Sequence, residues 1–210
     1  MHWKAQSIGQ QGRGQDRYAV VAAREFHVLL VADGAGGMSG GGQAADNVIE
    51  LMRAALPGEG EPFDLHWPAR LLQRADAELA CSRSGGQTTA AVVVSNGKDL
   101  WGASVGDSAV WLVAQTNWVD LTEPQVRKPL LGSGCARVIA FGPISACGIL
   151  LLATDGLTKY ASTSAIIAVL RNGTLDLEGK VDCLLALPRT PVGTLHDDVT
   201  VVIGEVANAG

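Results

Sequence analysis

Two hydrophobic patterns take turns along this chain, and each predicts a different element. "FHVLLVAD" (26–33) is a short, continuous apolar run rich in branched side chains. It is long enough for a buried strand and too short for a helix. "DRYAVVAA" (16–23) has the same character. After a glycine-rich stretch the period changes. Ala44, Ala45, Val48, Ile49, Met52 and Leu56 recur at steps of three and four, which predicts an amphipathic helix over 43–56. A Pro/Gly-rich acidic connection (57–68) leads to a second helix over 68–82, with Leu71, Leu72, Ala75 and Leu79 on one face and Pro68 suited to its first turn. From Thr88 the strand pattern returns. "TTAAVVVS" (88–95) and "DLWGASVG" (99–106) flank Asn96-Gly97, a strong hairpin signal, and "SAVWLVAQ" (108–115) reads as the third strand of the same meander. "GILLLATD" (148–155) is another buried strand, and "DDVTVVIGEV" (197–206) a closing one. Between them lie two helices, 162–171 and 176–187, which Ser162 or Thr163 and Asp176 can cap.

Helices therefore come in pairs between groups of strands. That order predicts an α+β fold of antiparallel sheets, not a doubly wound parallel sheet. At 210 residues, one domain spanning 1–210 is expected. Composition adds little except in glycine, whose 26 residues exceed the usual share of about 7% and gather in loops. A net charge of −5 without any Lys/Arg run argues against a nucleic-acid partner. No apolar stretch approaches the roughly 18–20 residues that span a bilayer, and "MHWKAQSIGQ" lacks the apolar core of a secretory signal, so no membrane partner is expected. Cys81, Cys135, Cys147 and Cys183 are too scattered for a zinc site or a disulfide frame. They read as free thiols in a reducing compartment, and hence a cytoplasmic protein.

Aspartate supplies the candidate chemistry. Asp33, Asp107 and Asp155 end or closely follow apolar strands, while Asp16 and Asp197 open them. One "DG" pair is ordinarily just a turn. Five acids at strand ends are a different pattern, because one rim of a sheet can bring them together. Crowded carboxylates resist ionising together, and a divalent cation such as Mg²⁺ or Mn²⁺ relieves that repulsion with hard oxygen ligands. The glycines after Asp33 and Asp155 leave room for the backbone to turn close to an ion. A second reading takes the loop as a dinucleotide cradle, since Gly40 to Ala45 fits G-x-G-x-x-A between a strand and a helix. That reading requires a parallel strand directly after the helix. No Ser-His-Asp or Cys-His arrangement is visible. His196 reads as an exposed loop residue, and Thr88, Thr89 and Ser108 as structural hydroxyls near the acids.

The ordered set "GQDR … VADGAGG … GGQTTAAVVV … VGDSAVWLV … LLATDGLTKY … DDVTVVI", from about Gly12 to Ile203, resembles the metal-dependent protein serine/threonine phosphatases of the type 2C class. The resemblance implies two packed antiparallel β-sheets flanked by helix pairs. It implies two Mn²⁺ or Mg²⁺ ions, with a third, weaker site. Asp33 matches the bridging aspartate, and the Gly34 carbonyl a ligand of the second ion. Asp155 and Asp197 match ligands of the first ion. Asp107 matches the residue tied to the third site, and Asp16 the acid that orders metal-bound water. Asp33, Asp155, Asp197 and Asp16 are thus the expected catalytic residues. The implied reaction is hydrolysis of phosphoserine or phosphothreonine by a two-metal-activated water, on a phosphoprotein substrate opposed by a serine/threonine kinase in signal transduction.

This sequence departs from the pattern in several places. Gln15 stands where many members have glutamate, Gly14 where asparagine is usual, and Asp198 where asparagine follows the last metal-binding aspartate. Gln11 occupies the position of the phosphate-binding arginine, leaving Arg13 as the nearby candidate for phosphate. The flap segment, about 116–147, is short. Gln11 also motivates an alternative, a weak or inactive phosphatase-fold module that recognises a phosphoprotein without turning it over.

Overall fold

The computed structural model describes residues 2–10, 14–35, 40–58, 61, 63–82 and 86–206. Two five-stranded sheets, every pairing in them antiparallel, pack face to face with helices on both outer surfaces. The first sheet has the order β1 (Trp3–Ile8), β10 (Val199–Val206), β9 (Gly148–Ala153), β6 (Ala109–Val113), β7 (Trp118–Asp120). The second has the order β2 (Arg17–Ala23), β3 (Phe26–Ala32), β4 (Ala90–Ser95), β5 (Asp99–Val105), β8 (Ile139–Ser145). Helices α1 (Gly41–Ala54) and α2 (Trp67–Ala80) cover the second sheet. The single turn α3 (Asp155–Thr158), with α4 (Thr163–Arg171) and α5 (Leu177–Ala186), covers the first.

Three apolar layers explain why the central strands read as unbroken hydrophobic runs. In β3, Val28, Leu30 and Ala32 point toward α1 and α2, whereas Leu29 and Val31 point into the seam between the sheets. β4 divides the same way, with Val92 and Val94 outward and Ala91 and Val93 inward. In β9, Leu151 and Ala153 meet the α3–α5 layer while Leu150 and Leu152 meet the other sheet. A strand has period two, so burying both faces removes the alternation that a half-exposed strand would show. Each fully buried leucine contributes about 1.5–3 kcal/mol of hydrophobic stabilisation, which makes these strands the rigid part of the molecule.

The expected α+β sandwich is therefore present, and Ser162 and Asp176 cap α4 and α5 through Ala165 N and Gly179 N. The meander is a correction. β4 and β5 do form the Asn96-Gly97 hairpin, but β6 leaves that sheet and pairs with β9 and β7 in the other one. Strands β1, β7 and β8 and the turn α3 were not expected from the sequence. The dinucleotide reading fails, because α2 is the element that follows α1 and among the described residues no strand pairing is parallel. Among the described residues no helix is long and apolar enough to cross a membrane. The four cysteines are free thiols, three of them exposed.

Candidate active site

Sheet register fixes which strand ends meet. Arg17 pairs with Ala32, Ala90 with Val105, and Ala153 with both Ala109 and Val201. In antiparallel sheets this brings the residues that follow β3, β5 and β9 to the same edge as those that precede β2, β6 and β10. Asp33, Asp107, Asp155, Asp197 and Asp198 accordingly line one cavity of about 640 Å³, together with Gln10, Gln15, Gly34 and the cationic Arg127, Lys128 and Lys159.

Asp33 is held by its own backbone. Its N–H donates to Thr89 Oγ1 at 3.1 Å, and its carbonyl accepts from Thr88 Oγ1 at 2.8 Å and from Thr89 N at 2.9 Å. Thr89 Oγ1 also bonds Ser108 Oγ at 2.7 Å, which ties the start of β4 to the start of β6. These hydroxyls are structural, as their positions suggested. Beyond Asp33 the chain grazes the start of α1. A Cβ on Gly34 would stand 2.5 Å from the Gly41 carbonyl carbon, so only glycine fits there. Gly156 is similarly constrained, since a Cβ would lie 1.8 Å from the Asp198 carbonyl oxygen. That contact seats α3, and with it Asp155, against the entrance to β10.

Asp16 lies behind this wall and not on it. It is buried and accepts a hydrogen bond from Thr154 Oγ1 at 2.7 Å. Two clasps fix the loop that carries it. Arg17 pairs with both oxygens of Asp46 on α1, at 2.5 and 3.1 Å, and donates to the carbonyls of Gly14 and Asp16. Asp198 accepts from Gln10 N at 2.7 Å and from Gln15 N at 2.5 Å. The carboxylate found where asparagine was expected thus closes the loop with two acceptor oxygens. Arg13 and Gln11 lie outside the described residues.

Electrostatics at this rim oppose ionisation. Burial, then Asp16, Asp155, Asp197 and Asp107, push the Asp33 carboxyl up to about 9. Burial also raises Asp16 to about 6, against hydrogen bonds from Thr154 and Thr200 that favour its charge. Asp155 is raised by burial and by Asp107 and Asp197, with Lys159 and Arg127 opposing the rise. The cations are close. Arg127 Nε stands 2.5 Å from Asp107 Oδ2 and its Nη2 3.6 Å from Asp155 Oδ2, while Lys159 Nζ is 3.9 Å from Asp155 Oδ2.

The donor set suits a hard divalent cation. It consists of carboxylates, the Gly34 carbonyl and the amide oxygen of Gln15, which is buried with no hydrogen-bond partner. Among the described residues no three acidic, histidine or cysteine side chains close on a single point. They line a shared cavity, with Arg127 bridging two of them.

The family model for protein phosphatase 2C matches residues 5–129, more than half of the chain. The chain belongs to the protein phosphatase 2C family. Solved structures agree with the phosphatase 2C fold. The serine/threonine phosphatase Stp1 from Staphylococcus aureus superposes with a TM-score of 0.82 at 18% identity, covering 98% of this chain and 96% of that one. The catalytic domain of the phosphatase PstP, solved in complex with 2 manganese ions, gives 0.78 at 21% identity, covering 98% of each chain. PstP/Ppp from Mycobacterium tuberculosis gives 0.79 at 20%, again over 98% of each. No curated protein sequence matches the chain.

The sequence singles out the acids that line this cavity, Asp33, Asp107, Asp155 and Asp197, but not the cations beside them. Lys159 carried a signal, four residues after Asp155 and so one turn above it. Arg127 lies in a segment without periodicity, and nothing in the sequence ties it to Asp107.

Proposed function

We propose that this chain is a metal-dependent phosphoprotein phosphatase acting on phosphoserine and phosphothreonine. The observation that carries the reading is the convergence of Asp33, Asp107, Asp155 and Asp197, supplied by four separate strand ends, on one cavity that also holds basic side chains. Acids so crowded that one is pushed up to about 9 need compensation by positive charge. Mn²⁺ or Mg²⁺, when bound, neutralises phosphoryl charge and makes a coordinated water more acidic. Asp33, the Gly34 carbonyl, Asp155 and Asp197 would hold two such ions, and Asp107 a weaker third. Asp16, behind Asp33, orients that side chain and the solvent around it. The hydroxyls of Thr88 and Thr89 keep the Asp33 backbone from moving under the charge it carries. The whole of 1–210 would form one catalytic domain with a shortened flap over about 116–147, working in the cytoplasm against a serine/threonine kinase.

Hydrolysis of p-nitrophenyl phosphate and of a phosphothreonine peptide tests this. Turnover is expected with Mn²⁺, and its loss with chelator and in Asp33→Asn or Asp155→Asn. Full activity in either variant would remove the metal-dependent mechanism. The presence of Gln11 where the resemblance places arginine favours a second reading, a module that binds phosphoprotein without turnover. Mn²⁺ binding by calorimetry without hydrolysis of any phosphopeptide would support it. Gain of activity in Gln11→Arg would point instead to a weakened enzyme.

A further inference from the structure

The cavity has acid walls, and a phosphoryl group arriving there is itself an anion. Something besides the carboxylates must receive its oxygens, and the sequence lacks arginine at position 11. Arg127 answers this on three counts. It lines the cavity, and its side chain is 70% exposed, so an incoming anion can reach it. It is aimed at the centre of the site, spanning Asp107 and Asp155. And it is mounted on a segment fastened at both ends. On one side Gln125 Nε2 donates to the Ser104 carbonyl at 2.5 Å, and Thr122 is braced by Asp120. On the other, Leu131 exchanges backbone hydrogen bonds at 3.1 and 3.2 Å with Thr88, one of the two threonines that hold Asp33. A planar guanidinium so positioned offers two parallel N–H donors, a geometry that matches two phosphoryl oxygens. Lysine, a point charge, lacks that fork. Lys159 adds positive charge near the same oxygen of Asp155, its ammonium 5.2 Å from the Tyr160 ring centroid.

We infer that Arg127 is the phosphate-binding residue of this site, receiving the phosphoryl oxygens of the substrate and taking the part that Gln11 cannot. The inference rests on the phosphatase reading for its substrate, although the anion site itself does not require turnover.

Inorganic phosphate is the probe. It is titrated by calorimetry into the Mg²⁺-loaded full chain, alongside steady-state hydrolysis of a phosphothreonine peptide. Arg127→Ala is expected to weaken phosphate binding by about 10- to 100-fold and to raise the peptide KM by a similar factor. Arg127→Lys is expected to recover only part of either loss. Melting temperature should stay near wild type and Mg²⁺ affinity should not fall, because the side chain is exposed and its removal leaves the carboxylates in place while taking away a cation that competes for Asp107 and Asp155. Unchanged phosphate affinity in Arg127→Ala, or full recovery by lysine, overturns the inference while leaving the phosphatase reading standing. Phosphate bound by wild type, lost in Arg127→Ala and never accompanied by turnover upholds Arg127 and overturns the enzyme. A collapse of Mg²⁺ affinity or of stability in Arg127→Ala would make the residue a structural brace and also overturns the inference.

Discussion

Removing the Asp76 carboxylate should detach the segment that closes one side of the cavity. Asp76 sits on α2 at 7% exposure. Its Oδ1 accepts from Gly132 N at 2.8 Å and Gly134 N at 3.0 Å, and its Oδ2 from Ala136 N at 2.9 Å. A hydrogen bond to a charged group contributes about 1.5–3 kcal/mol. Three cannot simply be added, because the freed N–H groups of a surface segment regain water. About 3–5 kcal/mol is the expected cost of Asp76→Ala, comparable to stripping one partner from a buried charge pair. For a chain of this size about 2–4 °C of melting temperature goes with each kcal/mol, giving a fall of about 6–20 °C. Asp76→Asn separates the acceptors. Its one oxygen can keep the Gly132 and Gly134 bonds, while its amide then faces the Ala136 N–H, so the loss should be about 1–2 kcal/mol. Thermal unfolding measures both variants, and amide hydrogen exchange at 132, 134 and 136 locates the change. A melting temperature within 2 °C of wild type in Asp76→Ala, with unaltered exchange at those amides, would refute the reasoning.

Other consequences follow from the rim. A carboxyl raised when folded favours the folded state below its unfolded value and loses that contribution as pH climbs through the folded one. For Asp33 the window runs from about 4 to about 9, and for Asp16 from about 4 to about 6. Chelated protein should therefore show a higher urea midpoint at pH 5 than at pH 8, with the difference shrinking in Asp33→Asn and on adding Mg²⁺; equal slopes in wild type and Asp33→Asn would count against this. Gly34→Ala forces the backbone of 34–35 away from Gly41 and Gly42, and should cost more than about 2 kcal/mol in chemical denaturation and weaken Mn²⁺ binding with it. Asp198→Asn keeps one acceptor oxygen for two backbone donors, so either Gln10 or Gln15 should lose amide protection, at about 1–2 kcal/mol.

Burial on both faces made the central strands legible. β3, β4, β9 and β10 are nearly continuous apolar runs because each touches two of the three layers. The strands without a clear sequence signal are edge strands. β1 alternates weakly, β7 has three residues, and β8 is interrupted by Gly142 and Pro143, which read as a turn. Local pattern also cannot tell which sheet a strand joins. Gly106 to Ser108 looks like a hairpin connection, yet it carries the chain from one sheet to the other. The aspartates were visible because each marks the end of an apolar run. Asp16 was legible as a strand-end acid, but its retreat behind Asp33 depends on Thr154, a partner 138 residues away.

The two kinds of charge at the rim are built into different parts of the molecule. Asp33, Asp155 and Asp197 extend from β3, β9 and β10, strands whose side chains are almost wholly buried and whose positions follow from core packing. Their mutual repulsion opposes the fold, and only a core closed on both faces of each sheet can hold them in place against it. The cations stand on lighter supports: Arg127 on a segment between Gln125 and Leu131, and Lys159 just past a single helical turn. A change of acid would disturb charges that the core cannot relax. A change in the 121–136 segment would alter how an anion is received while leaving the three apolar layers almost untouched. The absence of arginine at position 11 fits this division, because a phosphate-binding group can move from one loop to another as long as the carboxylate rim it serves stays where the strands put it.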